Sequence, residues 1–370
     1  MIKVGVDARH LSGRKNGIQT YLQNLLHYAI RITTDTHKWY LYCPYRMDKS
    51  GLEYDNVVIV TTSVPTSLRG FDLLFLHLCI PILAVFNKVD LMWFPANRSS
   101  AFLPGRIAQV LSIHDLVWKK YPETMTYFGW VLDKTFMTRS AFRADIISTV
   151  SQFSFDEAVS AGVAKGEKIV VIPNGVKRTQ TIKNGPFVSE FCLFVGTVEP
   201  RKNLMRLLQA YGSLSPKIRD SVRLLIVGGK GWGNVNLNKM IVHLDLVDNV
   251  DVLGSVDEET LEMLYSNAQF LVMPSLYEGF GLPLIEAMSY GTPVLTANNS
   301  SMPEVAGDAG LLVDALDVKS IADGLLTMIT NEELRDRLGK NSMVQASKFS
   351  WEESASKLVD AFERAIRLKN

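Results

Sequence analysis

The stretch Ser275-Leu-Tyr-Glu-Gly-Phe-Gly-Leu-Pro-Leu-Ile-Glu-Ala-Met288 decides how the rest of the chain is read. It follows an apolar run, Ala268–Pro274, with the length and composition of a buried strand. Gly279 and Gly281 let the turn take positive φ and bring bare backbone close to a ligand. Pro283 stands where a helix begins, at a first-turn position where a missing N–H costs nothing. Strand, glycine turn and helix N-terminus together form an anion site. Glu278 in the turn and Glu286 about one turn into the helix frame it. Carboxylates beside a phosphate cradle suit a ligand that also carries hydroxyls, as a nucleotide sugar does. An ionised carboxylate accepts from two vicinal hydroxyls through charge-assisted bonds. Alternatively, Glu278 caps the helix and Glu286 is solvated; the Gly-x-Gly turn between them favours the site.

Glu278 and Glu286 match an E-x7-E pattern, and in this the chain resembles the family 4 retaining glycosyltransferases. The resemblance covers nearly the whole chain. It implies the GT-B fold, an α/β architecture of two Rossmann-like doubly wound domains facing each other across a cleft. It further implies that Glu278 and the turn over Gly279, Phe280, Gly281 and Leu282 hold the donor sugar, while Glu286 binds the nucleotide ribose.

Composition is consistent with that architecture. A chain of 370 residues is too long for one comfortable core, so two domains are expected. A formal net charge of +1 gives no strongly basic surface, so no nucleic-acid partner is expected. Cys43, Cys79 and Cys192 lack pairing or metal-ligand spacing, which points to a reduced, cytoplasmic setting. The start, Met1–Asp7, reads as a short strand rather than a signal peptide. Leu73–Phe86 is the most apolar segment; it is too short to span a bilayer and predicts a buried or interfacial helix. Peripheral contact at the inner face of the membrane is the alternative there, because family members act on lipid-linked acceptors.

Along the chain, apolar runs alternate with helical stretches, the pattern of a doubly wound parallel sheet. Strands are predicted at Lys3–Asp7, Trp39–Cys43, Val57–Thr61, Leu91–Phe94, Ala108–Ile113, Ile146–Val150 and Ile169–Ile172. A second series begins at Phe191 and continues at Leu224–Val227, Val250–Leu253, Phe270–Met273, Pro293–Thr296 and Leu311–Val313. The polar, aperiodic stretch 177–186 reads as a linker between a first domain, 1–178 plus 351–370, and a second, 187–350. Ser350 is the expected N-cap of an amphipathic terminal helix, which in the resemblance crosses back onto the first domain. The aromatic stretch Val117–Phe136 reads either as a packed long helix or as an acceptor-side surface.

Such sheets bind ligands at the carboxyl ends of their strands, and the remaining candidates follow strands. Asn16-Gly17 lies in the first βα loop, where the family approaches the donor diphosphate with a glycine pair; Gly17 alone matches it. His114 ends the fifth strand, where the family places a histidine against the donor sugar. Gly196-Thr-Val-Glu-Pro-Arg-Lys202 follows the eighth strand, with Arg201 and Lys202 suited to neutralise a diphosphate. The family's usual first arginine is Thr197 here, and Arg201 is its expected substitute. The segment around Gly254 resembles one whose backbone reads the base.

The expectation is therefore a retaining hexosyltransferase working without a metal cofactor, its leaving group held by Arg201 and Lys202. GDP-mannose is the first-guess donor, with UDP-sugars close behind, and the acceptor is a glycan or lipid-linked glycan of a surface polysaccharide. Another GT-B enzyme, such as a sugar-nucleotide epimerase or phosphorylase, or a non-catalytic sugar-nucleotide-binding subunit, are the alternatives.

Overall fold

The structure, a computed structural model, describes residues 1–12, 16–44, 51–61, 71–177, 190–233 and 236–369. It divides into two compact units, Met1–Leu116 with Phe128–Gly175 and Ser350–Asn370, and Val117–Tyr127 with Val176–Phe349. The linker read over 177–186 lies outside the described residues apart from Lys177.

The first unit holds a parallel sheet of seven strands: β1 (Ile2–Asp7), β2 (His37–Cys43), β3 (Val57–Thr61), β4 (Leu91–Phe94), β5 (Ala108–Ile113), β6 (Ile146–Thr149) and β7 (Ile169–Val171). Their order is β3-β2-β1-β4-β5-β6-β7, with Val4 opposite both Trp39 and Leu91. β4, β5 and β6 are buried throughout, as expected where helices cover both faces and strands read as continuous apolar runs. Beneath them Ser112 Oγ gathers the Tyr21 hydroxyl at 3.0 Å, Trp93 Nε1 at 3.0 Å and Ser148 Oγ at 2.8 Å, so these buried polar groups are satisfied.

The terminal helix, Trp351–Arg367, is capped by Ser350 and completes this unit. Phe362 packs 5.9 Å from the rings of both Trp39 and Trp93. The returning backbone passes directly over Gly175, where a Cβ would lie 2.2 Å from Trp351 N. Leu73–Phe86 falls within a helical run over 71–86 whose middle, Phe75–Cys79, is π-helical. Phe75, Leu76, Ile80 and Ala84 are buried, whereas Leu74, Leu78, Ile82 and Phe86 are exposed on the opposite side. No helix among the described residues is long and apolar enough to cross a membrane.

The second unit holds six parallel strands: β8 (Phe191–Val195), β9 (Arg223–Val227), β10 (Val250–Gly254), β11 (Phe270–Met273), β12 (Val294–Ala297) and β13 (Gly310–Val313). Their order is β10-β9-β8-β11-β12-β13. The core of this unit lies between the sheet and helices such as Leu204–Gly212 and Val318–Thr330, around Phe194, Leu207, Tyr211, Ile226 and Leu325.

The Val117–Phe136 stretch is not one long helix. A short helix, Val117–Lys120, stops before Pro122, and the next begins at Tyr127, because proline disfavours helical backbone in the residue before it. Val117–Tyr127 groups with the second unit, where Tyr121 and Tyr277 rings lie 5.6 Å apart and Trp232 donates to Thr124 O. The sequence division counts that segment with the first domain.

In both sheets the chain order reverses once, between β1 and β4 and between β8 and β11. These switch points are where loops diverge and open α/β sheets leave a crevice for ligands.

Candidate active site

The β8–β11 switch point gathers the charged residues singled out above. After β8, Pro200–Lys202 forms a single tight turn and Asn203 takes left-handed backbone with φ 61°. The Asn203 amide donates to Pro274 O at 2.9 Å and Ala315 O at 2.7 Å, fastening the β8 loop to the loops after β11 and β13. That anchorage sets Arg201 and Lys202 against Glu278. Lys202 Nζ donates to Glu278 Oε1 at 2.6 Å, and Arg201 Nη1 donates to Glu278 Oε2 at 2.6 Å and Tyr277 O at 2.8 Å. Arg201 Nη2 reaches Glu199 Oε1 at 2.7 Å.

Glu199, Lys202 and Glu278 are buried, and two cations balance two carboxylates. Burial alone would raise the Glu278 pKa, but Arg201 and Lys202 outweigh it and hold it at about 2. Glu199 moves the other way, because burial outweighs the attraction of the cations and the Glu278 charge adds to the shift. Glu278 thus stays ionised and keeps its bonds to both cations.

A pH dependence follows. With a folded pKa near 2 and an ordinary value of 4.5, Glu278 contributes stability that is complete above pH 4.5 and lost as pH falls toward 2. The shift corresponds to about 3 kcal/mol. Urea unfolding of wild type and Glu278→Gln at pH 7 and pH 3 should show the gap between them shrinking at pH 3; a constant gap would reject the assignment. Glu199 is present in both proteins, and in the variant its upward shift loses the part that the Glu278 charge supplies.

The turn itself is tied by two serines. Ser301 Oγ donates to Glu278 O and Phe280 O, both at 3.0 Å, and Glu278 N donates to Ser300 Oγ at 3.1 Å. Of the two glycines, Gly281 alone takes positive φ, at 99°, and a Cβ there would lie 2.7 Å from Met302 Cε. Leu282 opens the Leu282–Ser289 helix that carries Glu286. Glu286 Oε2 accepts from the Tyr265 hydroxyl at 2.7 Å; burial, aided by the Glu286 charge, pushes that hydroxyl's pKa well up and keeps it a donor. Gly196 lies under the Lys202 chain, its Cβ position 3.4 Å from Lys202 Cε. Thr197 packs toward Gly231, and Gly254 ends β10 at φ 70° with open space where a side chain would be.

Gly17 and His114 belong to the first unit. Gly17 starts the Gly17–Ile32 helix, and Asn16, which departs from the family's glycine pair, is its N-cap, accepting from Gln19 N at 3.0 Å. His114 follows β5; its N donates to Asn97 Oδ1 at 2.9 Å and its Nε2 to Pro95 O at 2.7 Å. Burial lowers its pKa past the opposing effects of the Pro95 bond and Asp115, so the ring is neutral. With Nε2–H committed to a carbonyl, Nδ1 is the acceptor.

Sequence reasoning missed several members of these constellations. Asp7, at the carboxyl end of β1, is buried and paired with Arg9 through two bonds of 2.8 Å. The run Asp7-Ala-Arg9 directly after a buried strand was the available signal. Glu199 has the same two-residue spacing to Arg201, whereas Tyr265, Ser300 and Ser301 carry no such signal, since the groups they bond at Glu286, Glu278 and Phe280 are distant in sequence.

Two parallel doubly wound units, one with a buried cation–carboxylate cluster at its switch point, define the class of protein, and comparison with known proteins gives the family. The model described as Glycosyltransferase Family 4 matches residues 15–180, and that of Glycosyl transferases group 1 matches 178–345. The O-antigen chain mannosyltransferase B of Escherichia coli is 33% identical over 71% of this chain and 72% of its own length. Among solved structures, the sucrose-phosphate synthase of Thermosynechococcus elongatus superposes over the whole of both chains (TM-score 0.78, 18% identity). Anabaena Alr3699/HepE, in complex with UDP-glucose, superposes over 98% of this chain and 99% of its own (TM-score 0.74, 19% identity). The chain belongs to the family 4, group 1 glycosyltransferases. Its fold is GT-B, as the sequence resemblance implied, and it is a glycosyltransferase.

Proposed function

We propose that this enzyme moves a hexosyl group, mannosyl first, from a nucleoside-diphosphate sugar to a glycan or lipid-linked acceptor of surface-polysaccharide synthesis, with retention at the anomeric carbon. The observation that carries the proposal is the meeting of Arg201, Lys202 and Glu278 at one switch point: two cations for a diphosphate beside a carboxylate for hydroxyls. An incoming diphosphate takes hydrogen bonds from Lys202 and Arg201, which frees Glu278 oxygens to accept from the donor sugar. The C1–O bond to the diphosphate then breaks, and the leaving oxygen keeps the electron pair. The acceptor hydroxyl oxygen bonds C1 on the same face, and its proton passes to the departing diphosphate oxygen. Charge growing on that oxygen is what the two cations stabilise, in place of a metal ion.

Glu286 accepts from the ribose hydroxyls, oriented by Tyr265, and His114 Nδ1 accepts from a substrate hydroxyl. Backbone at Gly196, Thr197, Gly254 and the Gly279–Leu282 turn lines the donor path in the second unit. A mannosyl donor comes first on the strength of the Escherichia coli relative's name, with GDP-mannose the first candidate to test; UDP-glucose competes, because the Anabaena neighbour holds it. The enzyme works in the cytoplasm and meets lipid-linked acceptors at the membrane surface, which the exposed Leu74, Leu78, Ile82 and Phe86 support.

A thermal-shift screen against GDP-mannose, UDP-glucose, UDP-N-acetylglucosamine and ADP-glucose, with and without EDTA, tests the proposal. One donor should raise Tm by mass action, equally with EDTA present. Glu286→Ala should weaken that donor about 10-fold by calorimetry, the expected cost of a charge-assisted hydrogen bond. No shift with any of the four would reject the nucleotide-sugar assignment.

A further inference from the structure

A cavity of about 350 Å³ opens in the second unit beside the Glu278 cluster, lined by loops that follow β11, β12 and β13 and by Tyr121. Its volume lies within the range of small-ligand sites. Its chemistry is unlike that of the cluster next to it. Asp314 is the sole charged side chain among the described residues that line it, so the cavity disfavours phosphate and suits a neutral ligand.

Three polar side chains that line it have no side-chain partner among the described residues, and two of them, Asp314 and Asn298, are exposed. Asp314 Oδ1 accepts from Leu316 N at 2.8 Å, which fixes the carboxylate and leaves its second oxygen to accept from a ligand. The Asn298 amide and the Tyr121 hydroxyl are the other two, and Tyr121 adds a ring face held near Tyr277. The frame around them is set: Asp314 N donates to Ser320 Oγ at 3.0 Å, and Ser300 Oγ donates to Asn299 Oδ1 at 3.0 Å. An uncharged ligand with adjacent hydroxyls and a C–H face that can lie on an aromatic ring is a pyranose. Its hydroxyls suit a carboxylate and an amide, which accept and donate in turn.

We infer that this cavity binds a neutral sugar residue of the acceptor glycan. The inference rests on the glycosyl-transfer function proposed for the Glu278 cluster, which the cavity adjoins through two consecutive residues. Leu276 lines the cavity while its N donates to Arg201 O at 2.9 Å, and the next carbonyl, Tyr277 O, takes the Arg201 guanidinium. A glycan lying here would be gripped beside the leaving-group cations without competing for them.

Titration of α-mannotriose into the full chain, followed by saturation-transfer difference NMR, tests this. The trisaccharide should bind, and Tyr121→Ala and Asp314→Ala should each weaken it at least about 10-fold, as loss of one charge-assisted bond or ring contact implies. Tyr121→Phe should keep most of the affinity, since it keeps the ring. Nucleotide-sugar affinity, measured by calorimetry on the same variants, should be unchanged, which also shows that they fold. Trisaccharide binding unaltered in both alanine variants, or no binding to the wild type, overturns the inference. Parallel loss of nucleotide-sugar affinity also overturns it, by making the cavity part of the donor site. If the trisaccharide binds and no nucleotide sugar does, the transfer proposal fails while the cavity remains a sugar site.

Discussion

Lys202→Ala is expected to lower kcat/KM by about 10²–10³-fold, the usual effect of removing one preorganised donor from a developing oxyanion. The expectation rests on where Lys202 is held. Its Nζ lies 2.6 Å from Glu278, in a buried site where the charge is poorly screened by water. Glu278 keeps Arg201 at 2.6 Å in the variant, so no carboxylate is left without a cation and the fold should survive. The stability cost should be about 1–3 kcal/mol, that of one hydrogen bond to a charged group. Lys202→Arg separates charge from shape: a planar fork replaces a compact ammonium, so folding should recover further than turnover. Steady-state kinetics beside thermal unfolding gives both readings. A Lys202→Ala enzyme of wild-type activity would remove Lys202 from the leaving-group site.

Glu278→Ala should act on stability as well as on turnover. It leaves the buried Lys202 ammonium without the carboxylate it donates to and removes one of the carboxylates that Arg201 meets, Glu199 being another. Breaking a buried pair from one side costs about 3–5 kcal/mol, which for a unit of this size lowers Tm by on the order of 10 °C. Glu278→Gln keeps the volume and one acceptor oxygen, so part of that stability should return. Turnover should not, because an amide accepts sugar hydroxyls more weakly than a carboxylate and no longer balances the two cations. Differential scanning calorimetry paired with a donor-turnover assay distinguishes the roles. Full activity in Glu278→Gln would show that the carboxylate's charge has no part in transfer.

Much of this was legible in the chain itself. The strands at Val57–Thr61, Leu91–Phe94, Ala108–Ile113 and Phe270–Met273 have the ends read from apolar runs, and the other strand ends differ by one or two residues. That is a local matter: a strand buried on both faces must be apolar along its length, and Gly and Pro punctuate what lies between. The E-x7-E spacing, the glycine at 281 and the basic pair after β8 were legible for the same reason.

Tertiary structure decided what those residues meet. Arg201 and Glu278 are 77 positions apart, and they touch because β8 lies beside β11 rather than beside β10. Strand order of that kind leaves no periodic trace, since every parallel strand looks alike to its neighbours. The same holds for Tyr265 on Glu286, for the serines that tie the turn and for the passage of Trp351 over Gly175. It holds also for Val117–Tyr127, whose Tyr121 reaches the second sheet only because Pro122 interrupts the helix there. Local patterning set the elements and the chemical kinds of side chain at their ends. Which of those side chains share a site was settled by long-range packing, where free energy depends on neighbours that no local pattern records.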